Sequence, residues 1–220
     1  PLWDFLKNKK IIKWRKLNKE DVILYFNLSK NQVEKIEFFI SQIINYNKHT
    51  NLVGKSTIEN IWERHVLDCL QLSKHINEKK LKIFDIGTGA GLPGVLLSII
   101  GYKNVLMVDS VKKKTDFIKG VVKELTLSAR VQNKRIEKVK GVKQDIIVSR
   151  ALAPLSKLLT YALLHSEKNT TLLFLKGRSV NNEIEIAMKN FDFDFKKFES
   201  VSSGDGCILQ INNFIKKWLK

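Results

Sequence analysis

Residues 81–94 read LKIFDIGTGAGLPG, a stretch that limits what the whole chain can fold into. Apolar and β-prone residues lead to Asp85. Glycine then occupies every second position (Gly87, Gly89, Gly91) before Leu92, Pro93 and Gly94. A strand that breaks into glycines and enters a helix at a proline is a nucleotide-binding signature. Glycine permits positive φ and close approach of a ligand to the backbone. Proline suits a helix start, where its missing N–H costs nothing. The free N–H groups of such a helix start are expected to hold a ribose or a carboxylate.

Two kinds of nucleotide compete for that loop. Gly89-Ala-Gly91-Leu-Pro-Gly94 satisfies G-x-G-x-x-G, the dinucleotide fingerprint, though the pattern alone is weak. Asp85, two residues before the first glycine, discriminates, because a carboxylate beneath a pyrophosphate would repel it. The register D-x-G-x-G-x-G resembles motif I of the class I S-adenosylmethionine (SAM)-dependent methyltransferases. In that family the acid faces the cationic methionine end of the cofactor. Asp109 lies 18 residues beyond Gly91, after a second strand expected at 103–108, about where such folds place an acid against ribose hydroxyls. The plainer alternative makes Asp109-Ser110 the cap of the following helix, whose apolar face is Phe117, Ile118, Val121, Val122 and Leu125.

Length and charge bound the rest. The 220 residues support one sizeable domain, and no apolar run reaches the roughly 18 residues that span a bilayer. The start shows no signal-peptide core. Cys69 and Cys207 lack C-x-x-C spacing and read as reduced thiols, so a cytoplasmic protein is expected. The formal charge of +17 points to a polyanionic partner, most simply nucleic acid, although a Lys/Asn/Ile-rich composition also follows from AT-rich coding. Lys7, Lys9, Lys10, Lys13, Arg15, Lys16 and Lys19 concentrate the charge near the start, with Trp3, Phe5 and Trp14 between them. Such a segment is either a phosphate-tracking arm with stacking aromatics or a poorly ordered leader, and the leader is the simpler reading. The expected organisation is a basic leader (1–28), a helical cap (29–80), a catalytic domain (81–213) and a basic tail (214–220) in one compact unit.

Along the chain, Ser29-x-x-Gln32 predicts a capping box before a helix ending near 46–48. Ser56-x-x-Glu59 predicts a second, opening a helix that carries Arg64, His65 and Asp68. The bland reading of that trio is an i,i+4 Arg64–Asp68 pair with a packed histidine, which composition favours. The sharper one is a polar cluster at the mouth of a cofactor site. Further strands are expected at 129–133, 145–149 and 171–175, and a hairpin from 193–201 and 207–211 around Ser202-Ser-Gly-Asp-Gly206. The fold class is therefore α/β with a mainly parallel, seven-stranded, Rossmann-like sheet closed by an antiparallel strand. Ligands of such sheets gather at the strands' carboxyl ends, where Asp85, Asp109, Glu137, Arg150 and Lys176 all fall. Lys112, Lys113 and Lys114 open a helix against its dipole, a weak hint of phosphate contact.

With these residues in view, the chain from about 29 to 211 resembles the bacterial small-subunit ribosomal RNA guanine-N7 methyltransferase G family, also called glucose-inhibited division protein B. The markers are Asn51-Leu52, RHVLD at 64–68, DIGTGAGLPG at 85–94, VDSVKKK at 108–114, RIE at 135–137, SRA at 149–151 and LKG at 175–177. Cys69 in place of a serine, and Val53-Gly54-Lys55 in place of a more hydroxyl-rich turn, are mild departures. The resemblance implies SAM as cofactor, 16S rRNA in the small ribosomal subunit as substrate, and N7 of one guanine (527 in the family's usual rRNA numbering) as the methylated atom. It carries the SAM contacts onto Gly87, Leu92, Ile136, Glu137 and Arg150, to which the motif reading adds Asp85, Gly89 and Asp109. No obligate protein partner, membrane or metal is implied, and nothing demands more than a monomer.

The local chemistry is compatible with that target. After the fourth expected strand stands Ser149-Arg150-Ala151-Leu152, with neither the N/D-P-P-Y/F of exocyclic-amine methylation nor the nucleophilic cysteine of pyrimidine C5 chemistry. Guanine N7 already carries an in-plane lone pair, so transfer needs chiefly proximity and alignment. Arg150 and Lys176 are the positioning candidates, for the guanine O6 or a flanking phosphate. A methyltransferase for another substrate, an NAD-dependent oxidoreductase and a non-catalytic RNA-binding module are the alternatives.

Overall fold

The computed structural model describes residues 17–141, 143–202 and 206–217. The arm-or-leader segment up to residue 16, the tip of the predicted hairpin turn and the last three residues of the basic tail lie outside them. Within them a seven-stranded sheet runs β1 (Lys82–Ile86), β2 (Asn104–Asp109), β3 (Ala129–Asn133), β4 (Ile146–Arg150), β5 (Thr171–Lys176), β6 (Phe191–Glu199) and β7 (Cys207–Lys216). Their spatial order is β3-β2-β1-β4-β5-β7-β6. Strands β1 to β5 pair in parallel, and β7 runs antiparallel to both its neighbours. The strand order reverses between β1 and β4, which opens a crevice at their carboxyl ends.

Both faces of β1, β2, β4 and β5 are covered, which is why these four strands read as near-continuous apolar runs, whereas the edge strand β3 (ARVQN) does not. Ile83, Met107, Val148 and Leu173 face one side. There they meet α2 (Lys30–Asn47), the helical run of residues 62–75, α4 (Gly94–Ile99) and α5 (Lys112–Glu124). Phe84, Leu106, Ile147 and Phe174, each one residue out of phase, meet α6 (Leu155–Leu163) and α7 (Val180–Met188) on the other.

The capping box of α2 forms as its sequence predicts: Ser29 accepts from Gln32 N, and the Gln32 side chain accepts from Ser29 N. Two local readings need correction. Residues 19–26, assigned to the leader, form the helix α1 (Lys19–Phe26) behind a second capping box of Asn18 and Asp21. The Ser56/Glu59 box caps nothing. A 3-10 turn at Lys55–Thr57 is followed by a π-helical Trp62–Leu67, a single α turn, α3 (Asp68–Leu70), and a 3-10 stretch at Gln71–His75. Neither of the first two has a side-chain cap, because their cap positions fall on Gly54 and Ile61, which carry no side-chain acceptor, while the Thr57 hydroxyl turns to Gly54 O and His65. Among the described residues no helix is long and apolar enough to cross a membrane.

Candidate active site

The glycine loop is wired to the ends of β1 and β2. The N–H groups of Gly87 and Thr88 both donate to Val108 O, carrying the chain from β1 across the end of β2. Gly87, Gly89 and Gly91 all have positive φ, and at Gly87 a side chain has no room. A Cβ there would lie 2.4 Å from a Leu152 methyl carbon. Asp85 is completely buried under the loop. Its Oδ2 accepts from Thr88 Oγ1 (2.5 Å) and from Gly94 N (2.8 Å). The anion that the start of α4 holds is therefore the protein's own Asp85. Burial, with Asp109 adding to it, pushes the Asp85 carboxyl up to about 7 against those two hydrogen bonds. Its Oδ1 is buried with no hydrogen-bond partner.

Asp109 is arranged differently. Oδ2 accepts from Gly89 N (3.0 Å) and Oδ1 from Val111 N (2.8 Å), so one carboxylate pins the glycine loop and the approach to α5 together. Both readings of the sequence meet here, since Asp109 braces the start of the helix and also lines a cavity. An ionised carboxylate retains lone pairs for further donors after two such bonds.

Across the crevice, Arg150 ends β4 inside the RHVLD block. Its Nε pairs with Asp68 Oδ2 (3.1 Å), Nη1 meets His65 Nδ1 (2.8 Å), and Nη2 donates to Arg64 O (3.0 Å). Asp68 Oδ1 also accepts from Gln71 (3.1 Å) and Ser202 (3.2 Å). The i,i+5 winding of residues 62–67 presents Asp68 to a strand end 82 positions away in sequence, so the trio forms a polar cluster around Arg150. Burial pushes Asp68 up despite Arg150. Burial, then the charges of Arg150 and Arg64, drives His65 down to about 3, so its imidazole is neutral. Burial also lifts the Cys69 thiol to about 12, leaving it inert as a nucleophile.

One strand further, Lys176 donates to Glu183 Oε2 (2.5 Å) and to Ala153 O (3.1 Å). Glu183 also accepts from Leu155 N (2.8 Å) and Ser179 Oγ (2.8 Å). Burial opposes its charge, yet the hydrogen bonds from Lys176 and Ser179 hold its carboxyl below the usual range. Segment 150–155 is thus pinned at one end by the Arg150–Asp68 ion pair and at the other by hydrogen bonds to the paired Lys176 and Glu183. Between the pins lie Ala151, with φ of 52°, and the exposed Leu152.

That segment separates two cavities. One, of about 480 Å³, is lined by Gly87–Ala90, Leu92, Asp109, Lys114, Thr57, His65 and residues 52–54. The other, of about 620 Å³, lies between β4 and β5 and takes in Arg64, Asp68, Lys176, Arg178 and Glu183. Arg150, Ala151 and Leu152 belong to both walls. Of the residues singled out from sequence, the first cavity gathers Gly87, Gly89, Leu92, Asp109 and Arg150, and the second gathers Arg150 and Lys176. Asp85 lies beneath the loop. Ile136 packs in the core of the opposite sheet face and Glu137 is exposed, in the turn after β3 that Lys134 N ties to Asp109 O.

Thr57, Glu183, Ser202 and Asn47 were not legible as site residues. Asn47 accepts from Leu52 N and Val53 N and so shapes one wall of the first cavity. Only the spacing of Lys176 and Glu183, a strand end and the first turns of the next helix, offered a signal.

Known proteins share the fold and, at higher identity, the sequence. Among solved structures, the ribosomal protein L11 methylase from Lactobacillus delbrueckii subsp. bulgaricus superposes with a TM-score of 0.55 at 23% identity, covering 67% of this chain and 77% of that one. Magnesium protoporphyrin IX methyltransferase from Synechocystis PCC 6803, with SAM bound, gives 0.56 at 13% identity over 84% and 97%. At such identities the likeness is one of fold. In sequence, the ribosomal RNA small subunit methyltransferase G of Rickettsia prowazekii is 38% identical over 184 residues, 84% of this chain and 95% of that protein. Its counterpart in Paramagnetospirillum magneticum is 31% identical over 192 residues, 87% and 94% of the two chains. The family model for rRNA small subunit methyltransferase G matches residues 32–211, and with these relatives it shows that the chain belongs to that family.

Proposed function

We propose that the protein transfers a methyl group from SAM to N7 of a single guanine in the 16S RNA of the small ribosomal subunit. The observation that carries this reading is the pair of cavities divided by Arg150–Leu152, one beside the glycine loop at the strand-order reversal and one opening between β4 and β5. A donor and an acceptor held in adjoining cavities that share this three-residue segment need chiefly proximity and alignment to react.

The residues present fit SAM. Gly87 and Gly89 both line the first cavity, and at Gly89, where a Cβ would meet nothing nearer than Gly87 O at 3.9 Å, the loop leaves its backbone open to a ligand. Asp109 offers carboxylate lone pairs at the cavity wall for two ribose hydroxyls. Once ionised above about pH 7, the Asp85 carboxylate adds negative potential beneath the loop, which suits a ligand bearing an ammonium and a sulfonium. In this reading Gly87, Gly89, Leu92, Asp109 and Arg150 hold the cofactor directly, and Ile136 and Glu137 approach it from the turn beside Asp109. When bound, SAM supplies an electrophilic methyl group on its sulfonium.

The chain's own task is then orientation. Asp68 and His65 fix the Arg150 guanidinium. Lys176, engaged by Glu183 and Ala153 O, fixes the wall rather than reaching for the base. Guanine N7 needs no proton removed before attack, so a site whose histidine is held neutral by its neighbours serves the reaction. The target base must leave its stack to enter the second cavity, so an unpaired or loop guanine is the expected substrate. The high positive charge of the chain suits that RNA partner.

The test is methyl transfer from isotope-labelled SAM to small-subunit particles lacking the modification, followed by digestion and mass spectrometry. Label recovered as 7-methylguanosine at one rRNA position is the expected result. Label in another nucleoside or in protein would overturn the assignment.

A further inference from the structure

The contacts of His65 run in one direction only. A guanidinium nitrogen donates and never accepts, so the 2.8 Å contact from Arg150 Nη1 makes His65 Nδ1 an acceptor. The ring proton of the neutral imidazole must then sit on Nε2, which lies 2.7 Å from Thr57 Oγ1. Thr57 has one hydroxyl proton, and it points at Gly54 O, 2.6 Å away. The hydroxyl therefore receives from His65 and gives to the backbone. His65 is nearly inaccessible and cannot exchange either partner for water. The charged side chains bearing on it are Arg150 and Arg64, and both oppose its protonation.

This chain of hydrogen bonds joins two walls of the first cavity. At one end is Gly54 which, with Leu52 and Val53, lines the cavity. At the other is Arg150, 85 residues beyond His65, which lines it from β4. We infer that Thr57 and His65 are positioning residues that lock the Arg150 guanidinium in the orientation the cofactor meets. The inference rests on the proposed SAM-binding role of this cavity. A different tautomer or a protonated ring would set two N–H groups facing each other at Nδ1 and break the link. The Thr57 hydroxyl is what keeps the proton on the far nitrogen.

The experiment compares SAM binding by calorimetry, and KM for SAM against kcat on small-subunit particles, in the wild type, Thr57→Val and Thr57→Ser. Thr57→Val should weaken SAM by about fivefold, and Thr57→Ser should return it to within about twofold of wild type, as expected for one hydrogen bond of ordinary strength. The loss should fall on KM for SAM, with kcat and KM for RNA unmoved. Equal SAM affinity in wild type and Thr57→Val would overturn the inference. Failure of the wild type itself to bind SAM would instead overturn the cofactor reading on which it rests. A measurement that needs no variant is 15N NMR of the His65 ring. A neutral Nε2–H tautomer persisting from about pH 8 to about pH 5 is expected, whereas an Nδ1–H tautomer or a titration near the ordinary histidine value would refute it.

Discussion

The two walls of the crevice are held by different physics. On the glycine-loop side, Asp85 and Asp109 accept from backbone N–H groups and from Thr88, over separations of 2 to 20 residues. On the opposite side, Arg150–Asp68 and Lys176–Glu183 are ion pairs between side chains, and the first joins residues far apart in sequence. A backbone cradle can take only one shape once its glycines are set. A wall pinned by side chains depends on every partner arriving from a separate element. The glycine-loop wall should therefore tolerate side-chain changes in its neighbours, and the opposite wall should fail when one partner is removed.

The largest effect should come from Arg150→Ala. It leaves the half-buried Asp68 carboxylate with only Gln71 and Ser202 as donors and removes the donor to His65, at a cost of about 2 kcal/mol in urea unfolding. Binding of SAM should be lost at concentrations that saturate the wild type. Retained stability and retained binding would show that the two walls do not differ as described. Glu183→Gln should cost about 2 kcal/mol, because the Lys176 ammonium then lacks its counter-charge at only 8% side-chain exposure.

pH separates Asp85 from Glu183 by sign, while Asp68, on the wall of Glu183, is raised like Asp85. The Asp85 carboxyl titrates near 7 in the folded protein, above its unfolded value. Its stabilising contribution is complete below about pH 4 and is lost as pH rises through 7. Glu183 is shifted the other way, so its contribution is present above the unfolded value and is lost as pH falls through the lowered folded one. Melting temperature against pH should accordingly lose its decline between about pH 4 and about 7 in Asp85→Asn, and lose its acid-side drop in Glu183→Gln. Identical profiles in the two variants would break the comparison. The smallest effect should be Ser29→Ala, which removes a helix cap remote from both walls at about 1 kcal/mol and leaves SAM affinity unchanged.

Much of this molecule was written locally. The strand-glycine-helix run, the parallel strands, the antiparallel closure and the Ser29 cap follow from alternation, glycine spacing and turn chemistry within a few residues. The same locality explains the misreading of 55–75. Ser56 and Glu59 satisfy a capping pattern, but the backbone there follows Thr57 and His65 inward, a choice made by packing against β4. Helix α1 was obscured for the opposite reason, since its basic flank masked a valid Asn18–Asp21 box.

The sequence by itself determined that a carboxylate would stand under a glycine loop, that a second would stand at the next strand end, and that the candidate site residues would gather at the carboxyl edge of the sheet. Only the tertiary structure decided which acid meets which base. Asp68 chose Arg150, Glu183 chose Lys176, and His65 took its tautomer from a threonine and an arginine on different elements. Backbone hydrogen bonds and glycine dihedrals are fixed by neighbours along the chain. Ion pairs between distant elements are fixed by the packing of those elements, which no short stretch of sequence encodes.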